Sequence, residues 1–135
     1  MKIIKDYPPN YEQICAAIPG VRSIKTAIFT YNGCLYNPGN GNIPPELMAH
    51  EETHVKQQVD SDHWWGQYLH DVDFRLDQEL EAYRVQYAYA VKHCDRSYRR
   101  NLLNFISKSL AGKLYGNLVS KEQAKELIKA RKEEL

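Results

Sequence analysis

The sequence predicts an α+β fold that is mainly helical and built as a single domain from residues 1–135. Two patterns carry this prediction: an Asn-Gly pair between short β-forming runs near the N-terminus, and a series of helical segments after residue 44. A chain of 135 residues is also long enough to bury a core without disulfide or metal staples. We therefore expect a small N-terminal hairpin packed beside a mainly helical body.

The chain should begin with one short helix. Asn10, followed three residues later by Gln13, is typical of a capped helix start. The Pro19-Gly20 pair should end this helix after about two turns.

A β-hairpin is expected next. Residues 24–31 are rich in β-formers, and residues 34–36 resume that character after Asn32-Gly33. An Asn-Gly pair between two such runs is the strongest short-range signal for a two-residue hairpin turn. Residues 37–42 then form a loop by composition.

Residues 45–59 should form a helix. Pro44 and Pro45 at its start suit a first helical turn, where the backbone N–H has no partner. Residues 60–73 form a connection or a short helix. We expect its large side chains to pack in the core over the site rather than stack on a substrate; these are Trp64, Trp65, Tyr68 and Leu69.

Three more helices complete the prediction. The first covers residues 74–93, and the second covers residues 98–110, where aliphatic residues recur at helical spacing. Ser120 and Gln123 form a capping box that opens a charged last helix, which should run to about residue 134.

The helix at residues 45–59 carries the motif His50-Glu51-x-x-His54. Histidines four residues apart lie one turn apart on the same helix face, so both can bind a single Zn²⁺. Such a pair leaves room for one more protein ligand and a water, and Glu51 lies close enough to take a proton from that water. The alternative is an exposed helix with two surface histidines. His63 and His70 are expected to be solvent-exposed or supporting groups rather than ligands.

A third ligand should come from the helix at residues 74–93, where Glu79 and Glu81 project to nearly opposite sides. The two sides differ in their neighbours: Ala82, Gln86 and Ala90 beside Glu79, and Phe74, Gln78 and Val85 beside Glu81. Small alanines allow the close approach that a short ligand needs. This favours Glu79, although periodicity alone leaves Glu81 open.

His50-Glu51-x-x-His54 followed by Glu79-x-x-Ala82 resembles the gluzincin metallopeptidases, and the longer pattern is similar to small single-domain zincins, including phage-encoded proteins. The similar segments cover about half of the chain: Pro44-Pro45-Glu46-Leu47, His50-Glu51-x-x-His54-Val55-x-Gln57-Gln58, Trp64-Trp65-x-x-Tyr68, Phe74-Arg75-x-x-x-Glu79-x-Glu81-Ala82-Tyr83 and Leu114-Tyr115-Gly116-Asn117.

The resemblance implies a zincin-like minimal domain with a hairpin packed on an active-site helix and a glutamate helix. It implies that His50, His54 and Glu79 bind Zn²⁺, that Glu51 is the base in peptide hydrolysis, and that the hairpin edge pairs with an extended substrate. Many relatives have an acidic residue after the alanine to orient a histidine, whereas this chain has Tyr83, so the partner of the histidines is open.

Tyr115, before Gly116, is a candidate catalytic group that would help to stabilise an oxyanion. Packing of Tyr115 under the last helix is the plainer interpretation.

Composition narrows the partners of the protein. A net charge of +1 argues against nucleic acid, and the basic run of Arg96, Arg99 and Arg100 is more often a solvated face. The absence of an apolar N-terminal segment and of a membrane-length apolar run predicts a cytoplasmic protein without membrane contact. Three cysteines without paired spacing are expected to be free thiols in a reducing compartment.

Two further functions compete with the peptidase hypothesis, in which a peptide or protein is the substrate. The first is a zinc-stabilised structural or binding protein, such as a phage component, in which the metal only organises the fold. The second, nucleic-acid binding through the arginines near residue 98, has the least support.

Overall fold

The computed structural model describes residues 1–130 and is mainly helical with one small sheet, which confirms the predicted α+β class. The sheet has three strands: β1 (Lys2–Ile4), β2 (Phe29–Tyr31) and β3 (Cys34–Tyr36). Six α-helices follow in chain order: α1 (Tyr11–Ala17), α2 (Pro45–Gln57), α3 (Ser61–His70), α4 (Val72–His93), α5 (Arg96–Leu110) and α6 (Lys121–Lys129). Two 3-10 helices connect them, Pro19–Ser23 and Lys113–Tyr115.

The predicted hairpin is present. Tyr31 pairs with Cys34 across the turn, and Asn32 and Gly33 adopt φ angles of 50° and 77°, as a two-residue turn with two left-handed positions requires. The first strand of the hairpin, β2, is shorter than predicted. Ile24 ends the first 3-10 helix, and the residues after it form a turn instead of pairing with β3.

Strand β1 was not predicted from the sequence. This strand pairs in parallel with β3, in the order β1-β3-β2, so β2 lies at an edge of the sheet. A three-residue strand whose partner lies about thirty residues away has no local signature, because only the tertiary contact selects it.

Aspartate caps explain why three helices begin where they do. The side chains of Asp60, Asp71 and Asp95 each accept a hydrogen bond from a backbone N–H in the first turn of α3, α4 and α5. Residues 60–73 are therefore largely helical, and α4 and α5 each start two residues earlier than predicted. Helix α2, in contrast, ends two residues earlier than predicted, at Gln57.

The other two predicted caps differ in outcome. Ser120 and Gln123 form the expected capping box of α6, while residues 131–134 of that predicted helix lie outside the described residues. Helix α1 starts directly after Asn10 as predicted, but the Asn10 side chain makes no capping hydrogen bond. Its Oδ1 atom is buried and has no partner within residues 1–130.

The core consists of two clusters of buried side chains, and residues of α4 pack against both. The first joins α1, the first 3-10 helix, β2 and α3, and it contains the aromatic residues that were expected to pack: Ile14, Cys15, Ile18, Val21, Phe29, Trp64, Trp65, Tyr68 and Leu69. The second joins α5, the second 3-10 helix and α6: Leu103, Ile106, Leu110, Tyr115, Ala124 and Ile128. Both clusters are apolar and together provide the main hydrophobic burial.

Helix α4 packs along α2 through one narrow face. The buried residues of α4 are Glu79, Ala82, Gln86 and Ala90, and both alanines are fully buried. Side chains this small let the two helix backbones approach closely, so the charged and amide groups between them can reach one another.

The cysteines, the arginines near residue 98 and the length of the helices also bear on the predicted class of protein. The three cysteines are free, with Cys15 buried and Cys34 and Cys94 partly exposed. Of the three arginines expected on a solvated face, Arg96 and Arg100 are exposed, whereas Arg99 is partly buried and donates to the Val91 carbonyl at 3.3 Å. Within residues 1–130, none of the helices combines the length and hydrophobicity needed to cross a bilayer.

We predict opposite effects for two glycine-to-alanine substitutions. Gly116 has φ of 78°, and a Cβ added there would lie 2.8 Å from Val72 Cγ2, so Gly116→Ala should lower the free energy of unfolding by about 2 kcal/mol. Gly66 lies inside α3 with nothing within 4 Å of an added Cβ, and Gly66→Ala should raise this free energy by about 0.5–1 kcal/mol. Urea unfolding of both variants measures the difference; equal effects would contradict the described backbone at residue 116.

Candidate metal centre

Two histidines and one glutamate meet between α2 and α4. His50 Nε2 lies 3.1 Å from Glu79 Oε1, His54 Nε2 lies 3.0 Å from the same oxygen, and the two Nε2 atoms are 3.2 Å apart. All three residues are buried, and together they form a group that could hold a metal ion.

The size of this triangle suits one ion. A tetrahedral zinc with bonds of about 2.0–2.2 Å separates its ligand atoms by roughly 3.3 Å, close to the 3.0–3.2 Å between these atoms. Imidazole nitrogens with one carboxylate oxygen are also a donor set that zinc accepts. The structure therefore brings Glu79, and not the exposed Glu81, to the two histidines.

Glu81 contributes to the site indirectly, because it helps to orient the side-chain amide of Gln57. Gln57 Nε2 donates to the Gln78 carbonyl at 3.0 Å and to Glu81 Oε1 at 2.9 Å. Both partners are acceptors only, so the amide orientation is fixed and Gln57 Oε1 faces His54 Nδ1 at 2.8 Å. The Nδ1 atom must then carry the proton, which leaves the lone pair of His54 Nε2 directed at the candidate metal position.

His50 is oriented by another amide. Its Nδ1 lies 2.9 Å from Gln86 Oε1, and its ring packs edge-on against Tyr83 with 4.7 Å between centroids. Gln86 thus occupies the role that the resemblance assigned to an acidic residue at position 83. The helical spacing predicts Gln86 on the same side of α4 as Glu79, but it does not identify His50 as the partner of this amide.

The second oxygen of Glu79 is also engaged. Tyr68 Oη donates to Glu79 Oε2 at 2.6 Å, which leaves Oε1 to face the histidines. Arg75 fixes this region by donating to three backbone carbonyls, those of Tyr68, Leu69 and Leu114. One guanidinium therefore joins α3, α4 and the segment before Tyr115.

The charges within the triangle attract one another strongly. Burial alone would raise the pKa of Glu79, but the charge of His54 and hydrogen bonds from both histidines hold this pKa well below its usual value. Burial alone would lower the pKa of His54, yet Glu79 and the neighbouring groups raise it to about 9. Without metal, a proton therefore occupies the space between the donor atoms and compensates the carboxylate charge.

Glu51 lies beside the triangle but makes no hydrogen bond that ties down its carboxylate within the described residues. Its Oε1 is 4.0 Å from His50 Nε2, and the residue is only 5% exposed. Burial raises the pKa of Glu51, while the two histidines oppose that rise. A carboxyl group with a raised pKa, placed next to a candidate metal position, has the properties of a general base.

A cavity of about 840 Å³ opens over these residues. Its lining includes the triangle residues and Glu51 from α2 and α4, together with residues of both core clusters. Residues 26–30, which include Phe29 and Thr30 of β2, also line the cavity, as do residues of α5.

The remaining candidate residues are also located. Tyr115 packs with buried residues of α5 and α6 and also lines the cavity, so its catalytic role stays a prediction. Burial and the nearby charge of Glu79 raise the pKa of Tyr115 well above its usual value, which keeps the phenol protonated. His63 and His70 are exposed and take no part in the triangle.

We predict that isosteric substitutions of Glu79 and Glu81 have different effects on zinc affinity. Glu79→Gln removes a charged donor from the triangle and should weaken zinc binding by more than about hundredfold, beyond the range typical of an outer partner. Glu81→Gln keeps an acceptor for Gln57 and should retain zinc affinity within about threefold. Competition titration with a zinc chelator measures both affinities, and greater loss in Glu81→Gln would contradict the site.

Zinc binding should release a proton at neutral pH. Because the pKa of His54 is raised to about 9 without metal, this imidazole is protonated at pH 7.5 and must lose its proton to bind zinc. Affinity should rise about tenfold per pH unit between pH 6.5 and 8, with roughly one proton released per zinc at pH 7.5. Calorimetry in buffers of different ionisation enthalpy counts these protons, and a pH-independent affinity would contradict the proton-filled triangle.

The site is thus defined by a donor triangle, two amides that orient its histidines and one free carboxylate in the adjoining cavity. Comparisons of the chain with protein-family models, with curated proteins and with solved structures gave no match.

Proposed function

We propose that the chain is a zinc-dependent peptidase in which His50, His54 and Glu79 bind the metal and Glu51 is the general base. The observation that carries this proposal is the free Glu51 carboxylate beside a three-donor site that faces a cavity. Structural zinc sites have four protein ligands, whereas catalytic sites have three and keep one position open. The similarity of the two motifs to those of gluzincins supports the same conclusion.

Each residue has a distinct role in this proposal. A bound zinc would lower the pKa of a water and polarise a substrate carbonyl. Glu51 takes the proton from the attacking water and delivers it to the leaving amine, which is general base catalysis followed by general acid catalysis by one group. Gln57 and Gln86 hold the imidazoles in the tautomer that directs Nε2 towards the metal.

The cavity borders the hairpin, and a peptide substrate would lie beside it. Residues 26–30 line the cavity, and within the described residues β2 pairs only with β3. The outer edge of β2 is partly occupied, because the Thr30 carbonyl accepts a hydrogen bond from Trp65 Nε1 at 2.9 Å. A peptide would therefore form main-chain hydrogen bonds with the residues that precede Thr30 rather than along the whole of β2. Affinity would then depend little on side-chain sequence at most positions.

The alternative is a zinc-stabilised structural or binding protein. In that case the metal would tie α2 to α4, and the cavity would hold a ligand without cleaving it. The carboxylate of Glu51 distinguishes the two functions, since a purely structural site has no use for a buried, unbonded carboxylate next to its ligands.

We predict that Glu51→Gln retains zinc binding and loses peptide hydrolysis by at least about hundredfold, because only proton transfer is removed. Wild-type and variant proteins are loaded with zinc and compared on a mixed peptide library by mass spectrometry. Glu52→Gln is the matched control, since Glu52 is the exposed neighbour on the same helix and should cleave like wild type. Equal cleavage by Glu51→Gln, or loss of zinc from it, would contradict the role of Glu51.

A further inference from the structure

A second buried carboxylate lies one helical turn before the metal ligands. Glu46 is in the first turn of α2, is only 4% exposed and lines the same cavity as Glu51. Burying a carboxylate is costly unless it is paired with a cation and its oxygens accept hydrogen bonds. The surroundings of Glu46 therefore need an account of their own.

One neutral donor faces Glu46. The Tyr98 hydroxyl on α5 donates to Glu46 Oε2, and this hydrogen bond raises the pKa of Tyr98 to about 12, so the phenol remains protonated. The N–H groups in the first turn of α2 add partial positive charge nearby. Neither group supplies the full positive charge that a buried carboxylate normally has as a partner.

The cations that line the cavity do not pair with Glu46. Arg75 uses its guanidinium on three backbone carbonyls. Lys108 and Lys113 are exposed, and Lys108 lies ten residues after Tyr98, about 15 Å further along α5 at 1.5 Å per residue. No ion pair within residues 1–130 includes Glu46.

We propose that Glu46 binds a cationic nitrogen of the substrate, an ammonium or guanidinium group, next to the cleaved bond. The inference rests on the proposed peptidase function and adds the substrate class: peptides that carry a positive charge close to the scissile bond. Glu46 is then a specificity-determining residue, and Tyr98, which lines the same cavity, holds one oxygen of its carboxylate.

Helix geometry limits how far this cation can lie from the cleaved bond. Side chains four residues apart on a helix are about 5–6 Å apart at Cβ, so Glu46 lies about that distance from His50 along α2. An extended peptide advances about 3.3–3.6 Å per residue. The cation therefore belongs to a residue within one or two positions of the scissile bond, as a free α-amine or as a lysine or arginine side chain.

Binding to the zinc-loaded Glu51→Gln protein tests this inference without hydrolysis. The probes are fluorescent peptides of one sequence in three forms: with an internal lysine, with norleucine in its place, and with norleucine and a free rather than acetylated N-terminus. Fluorescence anisotropy should show at least about tenfold tighter binding of one or both cationic peptides than of the neutral one, as expected for a charge-assisted hydrogen bond. The lysine and free-amine forms identify which source supplies the cation.

The preference should disappear in Glu46→Gln/Glu51→Gln and persist in the matched control Glu52→Gln/Glu51→Gln, with the affinity for the neutral peptide unchanged. Equal binding of all three peptides to Glu51→Gln, or a preference that survives Glu46→Gln, would overturn the inference even if wild type cleaves peptides. Circular dichroism checks folding. Should Glu46→Gln not fold, Glu46→Asp keeps the charge with a shorter reach and should reduce the preference; an undiminished preference would overturn the inference. A preference that depends on Glu46 supports it even if no peptide is cleaved.

Discussion

The structure depends on three electron-rich atoms that α2 and α4 bring within 3.2 Å of one another. Two imidazole lone pairs and a carboxylate oxygen at this separation repel one another unless a cation lies between them. A proton can fill that position in the metal-free protein, as the raised pKa of His54 indicates. A divalent ion satisfies all three donors at once. The packing of α2 against α4 and the chemistry of the site therefore depend on the same three atoms.

The neighbouring residues support this arrangement, some by close packing and others by hydrogen bonds to the ligands. Alanines on α4 allow the helices to approach, and amides from both helices fix the imidazole tautomers. Glu81, the alternative ligand, orients Gln57 and so acts on His54 indirectly. These roles explain why the interface between α2 and α4 contains so many polar side chains. Each of their hydrogen bonds fixes the direction of a lone pair on a ligand.

Sequence patterns predicted the parts of the molecule that depend on local contacts. The Asn32-Gly33 turn, the helix face shared by His50 and His54, and the small residues beside Glu79 are all local signals, and the structure shows each of them. Strand β1 was missed, because it is selected only by a partner about thirty residues away. The pairing of Gln86 with His50 joins positions 36 residues apart, and no spacing rule reports such a contact. The aspartate caps, in contrast, were available in the sequence and would have corrected the starts of α4 and α5.

A crystal structure of the zinc-loaded protein, with anomalous diffraction recorded at the zinc edge, tests the central claim most directly. The account predicts one zinc peak about 2.0–2.2 Å from His50 Nε2, His54 Nε2 and Glu79 Oε1, with solvent as the remaining ligand. A peak elsewhere in the molecule, or a fourth protein side chain bound to the ion, would contradict it.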